Sequence, residues 1–186
     1  MTVAALYVDP AGPYPALVPE WYDAERDART YCGPSPVVAH PPCGPWGKLR
    51  MLCTKQDPSL GPVGVYQTLE WGGVLEHPEG SILWDHCGLP APFHSLPTFA
   101  PRVWALVVDQ CRWGHPCRKR TWLLFVGIAP ADLPPIPAWI EPTHCIDDGS
   151  AGDAARKGLK HLPKKQRHIT PPAFAAWLVA AAEAAR

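Results

Sequence analysis

A cysteine that follows two prolines at the end of a short apolar run is the first candidate for chemistry in this sequence. The run Val37-Val38 leads into His40-Pro41-Pro42-Cys43-Gly44-Pro45-Trp46-Gly47. An apolar run that stops at a proline-rigid turn delivers a side chain to the end of a buried strand, where ligand crevices of open α/β sheets lie. Cys43 is therefore the first candidate for a nucleophile, although a cysteine taken alone would favour a purely structural role. The alternative is a small thiol packed in a rigid turn.

Two later stretches carry groups that could assist such a cysteine. Val74-Leu75-Glu76-His77-Pro78 indicates a brief strand, and Arg118-Lys119-Arg120 leads into the apolar run 121–126. A thiolate that adds to C6 of a pyrimidine turns C5 into a carbon nucleophile. A carboxyl group at ring N3 and a cation near ring O2 can absorb the charge that develops. A cysteine, a glutamate and an arginine at adjacent strand ends would meet this demand.

Each of these groups also has a simpler interpretation. Glu76 could be a strand-end carboxylate paired with a lysine or arginine. The cluster Arg118-Lys119-Arg120 could be solvated or could touch phosphate, and alternation along a strand would send Arg118 and Arg120 to the same face. The presence of Glu76 and of the Arg118-Lys119-Arg120 cluster in the same sequence favours the catalytic interpretation for Cys43.

These stretches resemble, in order and spacing, motifs of the DNA cytosine-5 methyltransferases. Pro41-Pro42-Cys43 resembles the Pro-Cys nucleophile motif, and residues 74–78 are similar to the Glu-Asn-Val strand end. Residues 113–127 resemble the Tyr-Gly-x-Pro-Gln-x-Arg-x-Arg motif and the strand after it. The resemblance covers about residues 37–127, and residues 169–175 are faintly similar to the proline-led closing helix of the family.

The resemblance implies a role for each matched residue. Cys43 would be the nucleophile, Glu76 would bind N3 and the exocyclic amine, and the cations around O2 and the nearby backbone would be Arg118 and Arg120. The base-binding residues would be Pro42, Trp46, His77 and Lys119, with Trp46 able to stack on an extruded base. The partner would be DNA or a pyrimidine nucleotide, and a base in duplex DNA would be flipped under the 44–62 loop.

The family's methyl donor is S-adenosylmethionine. The segment of this sequence that would bind it departs from the family's motif. Asp9-Pro10-Ala11-Gly12-Pro13 stands where the family has a glycine-rich cofactor loop, and proline removes donors and space. Only 28 residues separate Val8 from Val37, enough for one helix. We therefore expect the pyrimidine-activating half to be kept and the methyl-donor half to be lost or altered. Asp9 is the one candidate cofactor contact, and a partner subunit could supply missing elements.

Two other hypotheses remain beside methyl transfer. In the first, Cys43 is kept and S-adenosylmethionine is not used, so that a different C5 substituent is added, removed or exchanged on a pyrimidine base or nucleotide. In the second, the protein is a non-catalytic DNA-binding or decoy module, whose binding to DNA depends on salt and not on Cys43.

The pattern of apolar runs predicts a small α/β fold, a truncated Rossmann-like methyltransferase-type sheet with flanking helices and proline-rich loops. Residues 1–128 would form the catalytic-type domain, 129–168 a proline-rich linker and basic segment, and 169–186 a helix that packs on the body. Strands are expected at 4–8, 37–39, 74–76, 103–109 and 121–126, and helices at about 20–29, 63–71 and 81–84. Thr170 is expected to cap the last helix.

Composition limits the partners and the compartment. The 186 residues include 17 basic and 17 acidic residues, so any contact with nucleic acid must be local, and the basic segment 156–168 is a candidate for phosphate contact or a solvated stretch. Seven cysteines without a secretory signal favour reduced thiols and a cytoplasmic location. Because no run of about 18 apolar residues occurs, no membrane association is expected.

Cysteine and histidine density raises zinc as an alternative. Cys111-x3-His115-x-Cys117 could combine with His86-Cys87 or His144-Cys145 as further donors. The spacing matches no common zinc knuckle, and Cys117 already has a place in the other motif, so no metal is expected.

Overall fold

A six-stranded mixed sheet forms the centre of the computed structural model, which describes residues 2–145 and 158–186. The strands are β1 (Ala4–Leu6), β2 (Glu20–Tyr22), β3 (Val37–Ala39), β4 (Gly73–Pro78), β5 (Val103–Asp109) and β6 (Arg120–Val126). Their order is β2-β1-β3-β4-β6-β5. The first four run parallel, and β6 pairs antiparallel with both β4 and β5.

Four α-helices accompany the sheet in the described residues: α1 (Tyr14–Leu17), α2 (Leu60–Trp71), α3 (Leu83–His86) and α4 (Pro172–Ala182). A short parallel pair, β7 (His144–Cys145) and β8 (Lys160–His161), lies apart from the main sheet. Helix α2 ends at Gly72, whose φ of 75° is a conformation that glycine adopts freely. None of the helices in the described residues is long and apolar enough to cross a membrane.

The sheet is covered on both faces. Phe174, Trp177 and Leu178 of α4 pack in one hydrophobic cluster with Val38 and Val74. The opposite face carries the other residues of the same strands, such as Leu75, in a second cluster that includes Trp46, Val65 and Trp84. Side chains on β3 and β4 therefore alternate between an α4 face and an α2 face.

A topological switch point lies between β1 and β3. The chain passes from β1 to β2 on one side and then crosses to β3 on the other side of β1. In open α/β sheets, ligands bind in the crevice outside the carboxyl ends of strands at such a point. The segments that leave these ends are residues 7–13 after β1 and residues 40–43 after β3. The predicted nucleophile thus lies on the segment where the fold favours a site.

Two local predictions for the fold were wrong. Residues 20–29 are not a helix: Glu20–Tyr22 pairs with β1, and the carboxylate of Asp23 then accepts the N–H groups of Glu25 and Arg26 (3.1 and 2.9 Å) in a turn. Aspartate side chains offer the backbone this alternative to a helix. The interval between β1 and β3 therefore contains a strand as well as the one-turn α1. At the last helix the N-cap is Pro171 and not Thr170.

Candidate active site

Three polar side chains form a hydrogen-bonded chain where the carboxyl end of β3 meets Glu76 in the second half of β4. The register pairs Ala39 with Leu75, so the next residues, His40 and Glu76, lie side by side. His40 Nδ1 lies 3.1 Å from Glu76 Oε2, and the Tyr14 hydroxyl lies 2.5 Å from His40 Nε2. Tyr14 opens α1, the helix that follows the loop after β1. The chain therefore joins residues from both sides of the switch point.

The second oxygen of the Glu76 carboxylate is held from β5. Gln110 directly follows that strand, is 1% exposed, and donates from Nε2 to Glu76 Oε1 (3.1 Å). The same amide nitrogen also donates to the Thr121 hydroxyl (2.9 Å), which holds it in place. The Glu76 side chain remains 14% exposed. The carboxylate is thus fixed by two protein groups and keeps an open side.

Glu76 is held in its ionised form. Burial raises the pKa of Glu76, but the hydrogen bond and charge of His40 and the charge of Lys119 outweigh burial, and the pKa falls to about 2. A carboxylate at neutral pH is an acceptor only. Glu76 can therefore accept hydrogen bonds from a ligand but has no proton to donate.

Cys43 follows this cluster by three residues and stays half-buried. Its carbonyl accepts the N–H groups of Trp46 and Gly47 (3.1 and 2.8 Å), which makes the tight turn after the two prolines. Burial and the negative charge of Glu76 raise the pKa of the Cys43 thiol above its usual 9.0, and the Lys119 ammonium partly offsets them. Cys43 is therefore a neutral thiol at neutral pH. The charges of Glu76 and Lys119 both affect its pKa.

Lys119 is the cation that acts on this cluster. It has a φ of 37°, and β6 starts only at Arg120, so strand alternation does not extend back to Arg118. The Arg118 guanidinium pairs with Asp109 (2.8 Å) and its side chain is 54% exposed, while Arg120 pairs with Glu79 (3.0 Å). No hydrogen bond or ion pair in the described part of the chain joins either arginine to Glu76 or Cys43.

The other predicted base-binding residues have different surroundings. Pro42 is half-buried next to Cys43. Trp46 is 8% exposed, belongs to the cluster on the α2 face, and packs against His86 with ring centroids 4.9 Å apart. His77 is fully buried beside Trp84, on the face of β4 opposite Glu76. Of these residues, Pro42 therefore lies beside Cys43 as its neighbour in the chain, and Trp46 and His77 belong to the core.

Burial of His77 predicts a measurable dependence of stability on pH. Burial lowers the pKa of His77 from 6.5 to about 4, with the Glu76 charge opposing this and the His40 charge adding to it. The unfolded chain thus binds more protons between pH 6.5 and 4, and stability falls as the pH drops through that window. Urea unfolding at pH 7.5 and 4.5 should show that His77→Asn removes about 2 to 3 kcal/mol of the loss. An unchanged pH dependence in His77→Asn would contradict this.

The residues of the zinc alternative do not assemble into a site. In residues 2–145 and 158–186, no three His, Cys, Asp or Glu side chains come together as a group that could hold a metal ion. Cys111 and Cys117 are buried, and His115 Nδ1 accepts the N–H of Cys117 (3.0 Å).

The loop after β1 does not fit S-adenosylmethionine in the way the resemblance implies. The Asp9 side chain accepts the N–H of Ala11 (2.9 Å), and the Asp9 carbonyl accepts the N–H of Gly12 (2.9 Å). Pro10 and Pro13 have no N–H group. The loop's own turn therefore uses the backbone donors that a glycine-rich loop would offer, and the Asp9 carboxylate closes that turn.

This misfit makes a calorimetric prediction. Titration of the protein with S-adenosylmethionine should give no saturable heat at ligand concentrations up to about 1 mM, which corresponds to a binding free energy weaker than about −4 kcal/mol. Binding in the micromolar range would contradict the interpretation of the loop and would support methyl transfer.

The basic segment is described in part. Lys160 and His161 form β8, and the Lys164–Gln166 turn follows, with Arg167 Nε donating to the Leu162 carbonyl (3.0 Å). Lys160, Lys164 and Lys165 are exposed, as a phosphate-contacting or solvated segment requires. Arg156 and Lys157 lie outside the described residues.

Comparison with known proteins gives no family. No protein-family model matches the chain, and no curated protein matches it.

Sequence reasoning missed three members of the cluster. His40 sits directly before Pro41 at the same strand end as the predicted nucleophile, and Gln110 directly follows a predicted strand. Polar residues at strand ends were therefore a usable signal for both. Tyr14 offered no such signal, because its approach to His40 depends on how α1 packs.

Proposed function

We propose that this protein is an enzyme that modifies cytosine, or a related pyrimidine, at C5 through covalent addition of Cys43 to ring C6. The proposal is supported by a thiol beside a fixed carboxylate: Cys43 lies three residues after His40, whose Nδ1 is 3.1 Å from Glu76 Oε2, and the charge of Lys119 acts on both groups. They lie by the switch-point end of the sheet, the usual ligand position in an open α/β fold. The strand order, with one antiparallel strand between β4 and β5, supports a Rossmann-like sheet of the methyltransferase type.

The chemistry follows from these groups. The Cys43 thiol gives its proton to solvent, its sulfur forms a bond to C6, and the electron pair of the C5–C6 double bond moves to C5. Glu76 holds the N3 edge of the ring, and the Lys119 ammonium balances the charge that spreads to the ring oxygens. C5 then takes an electrophile, which in the absence of any co-substrate is a proton from water. Loss of the original C5 proton and cleavage of the S–C6 bond restore the aromatic ring.

The loop after Cys43 supports DNA as the polymer. Gln56, late in the loop, returns to the residue after Cys43, since its side chain accepts the Gly44 N–H (2.9 Å). Between them, Leu49, Met51 and Leu52 are 64%, 86% and 78% exposed, with basic neighbours at Lys48, Arg50 and Lys55. Apolar side chains among cations suit a loop that contacts phosphates and fills the space left by an extruded base.

The loop after β1 favours a second version of this function, in which the group added to C5 does not come from S-adenosylmethionine. The turn that uses the N–H groups of Ala11 and Gly12 is the observation behind it. Covalent addition by Cys43 is common to both versions, so an experiment without any donor tests the shared step.

Exchange of the C5 hydrogen for deuterium tests the proposal directly. Purine-rich oligonucleotides with a single cytosine or uracil are incubated with the protein in deuterated buffer, and the H5 signal is followed by NMR. We expect H5 to disappear at a rate that rises about tenfold per pH unit from pH 6 to 8.5, because the raised pKa of Cys43 leaves the thiol neutral there. Salt-dependent binding to DNA without exchange on either base would overturn the proposal and would favour a non-catalytic DNA-binding module.

A further inference from the structure

We propose that the base this site accepts is a 4-oxopyrimidine, of the uracil type, in preference to cytosine. The inference rests on the proposed function, because it concerns the ring that Cys43 attacks. Its basis is the set of hydrogen bonds that the protein makes to Glu76, the group assigned to the N3 edge of the base.

Both protein contacts to the Glu76 carboxylate come from donors. Gln110 Nε2 donates to Oε1 and is itself held by Thr121. The reverse amide orientation would set the Gln110 oxygen against the carboxylate, so the assignment is chemically constrained. At the other oxygen, His40 stands between Glu76 and Tyr14.

The Tyr14 hydroxyl sets the direction of that hydrogen bond. Burial and the charge of Glu76 raise the pKa of Tyr14 well above 10.0, so the hydroxyl keeps its proton. His40 meets this hydroxyl at Nε2, and its Nδ1–H donates to Glu76, because an ionised carboxylate can only accept a hydrogen bond. Glu76 therefore receives a hydrogen bond at each oxygen and presents only lone pairs to the open side of the site.

Cytosine and uracil differ at the position that would meet these lone pairs. Cytosine N3 is a lone-pair acceptor, so it would face the carboxylate without a proton between them. A 4-oxopyrimidine has an N3–H that donates to the carboxylate, and its carbonyl oxygens can receive the Lys119 ammonium. After thiolate addition, the charge moves from C5 to O4, where the same cation is useful. The uracil-type base thus fits without any extra proton.

Cytosine can donate its exocyclic N4–H to one carboxylate oxygen, but the repulsion between its N3 lone pair and the carboxylate is relieved only by taking up a proton from solution. The titratable groups around Glu76 do not supply one. Tyr14 on α1, His40 directly after β3, Cys43 in the nucleophile turn and Lys119 before β6 act on Glu76, and His77 lies on the opposite face of β4. His77 is neutral because burial lowers its pKa to about 4, and Tyr14 and His40 are engaged in hydrogen bonds with each other and with Glu76. We therefore expect binding of cytosine, and not of uracil, to weaken as the pH rises from 5 to 8.

Sites built to hydrogen-bond one partner reject an analogue that leaves the buried group unpaired by large factors, up to about 10⁴. Because Glu76 keeps an open side to water, we expect a preference of about 10²-fold for the uracil-type base at pH 8.

The test separates binding from chemistry. Purine-rich single-stranded oligonucleotides with one deoxyuridine or one deoxycytidine are titrated into Cys43→Ser protein, which binds but cannot add to the ring, and dissociation constants are measured at pH 5 and 8. We expect the deoxyuridine strand to bind about 10²-fold more tightly at pH 8, with the ratio shrinking at pH 5. Equal binding at pH 8, or tighter binding of deoxycytidine, would overturn the inference.

A second variant tests whether Glu76 is the group that selects the uracil-type base over cytosine. Glu76→Gln in the Cys43→Ser background puts an amide N–H where the carboxylate had lone pairs, and the preference should shrink at least about tenfold. A preference that survives this change would contradict the assignment. H5 exchange with wild-type protein keeps the two proposals distinguishable. Exchange on cytosine alone would contradict the substrate inference and leave the proposed function standing. No exchange on either base would contradict the proposed function.

Discussion

Cys43→Ser protein loses C5 hydrogen exchange by at least about 10³-fold, the largest effect expected for any single substitution in this chain. A serine hydroxyl at the same position has a far higher pKa than a thiol and is a much weaker nucleophile. Because the change is nearly isosteric and the turn is held by backbone hydrogen bonds to the Cys43 carbonyl, the fold should survive. The measurement is the rate of H5 loss by NMR in deuterated buffer, with circular dichroism to confirm folding.

The matched control is Cys32→Ser. Cys32 is exposed and precedes β3, at the opposite end of that strand from Cys43. We expect its exchange rate to equal that of the wild type. Exchange that persists in Cys43→Ser, or that is lost equally in both variants, would contradict covalent addition by Cys43.

The second large effect concerns the cation. Lys119→Met should lower exchange about 10²-fold, because it removes the positive charge that acts on Glu76 and Cys43. Methionine keeps the length of the side chain and tolerates the same backbone no worse than lysine. Arg118→Met should cost less than about threefold, since its guanidinium is exposed on Asp109 and such a pair contributes little.

These two variants also separate the structure from the resemblance to the cytosine-5 methyltransferases. The resemblance gives the catalytic cations as Arg118 and Arg120, while Lys119 is the lysine or arginine whose charge acts on Glu76 and Cys43. A larger loss in Arg118→Met than in Lys119→Met would favour the roles implied by the resemblance. Both rates come from the same H5 assay, at a pH where Glu76 is ionised in each variant.

The strands that position the candidate site could be predicted because their signals are local. Val37–Ala39, Val103–Asp109 and Thr121–Val126 are apolar runs bounded by proline, glycine or charged residues, and all appear as strands within a residue of the expected bounds. The same signals placed Glu76 on a strand next to the one that leads to Cys43, although β4 continues two residues beyond Glu76. The α/β architecture was therefore within reach of the sequence.

What the sequence could not give depends on register and backbone conformation. Strand β2 was missed because Glu20–Tyr22 is a half-buried edge strand without an apolar run, unlike the equally short and fully buried β3. The contact between His40 and Glu76 requires the register of β3 on β4. The role of Lys119 depends on its positive φ just before β6. No pattern of side chains predicts a positive φ for a lysine.

Intact-mass analysis of the protein after incubation with oligonucleotides that contain 5-fluorouracil or 5-fluorocytosine is the most direct test of covalent addition by Cys43. Addition of the thiol at C6 and of a solvent proton at C5 gives a thioether to a 5-fluoro-5,6-dihydropyrimidine. Because that C5 proton can be lost again, the mixture is quenched with acid before the mass is measured. We expect a mass increase equal to one oligonucleotide, mapped by proteolysis to the peptide that holds residue 43. A protein that stays unmodified with both probes, or that is modified at another cysteine, would contradict covalent catalysis by this thiol.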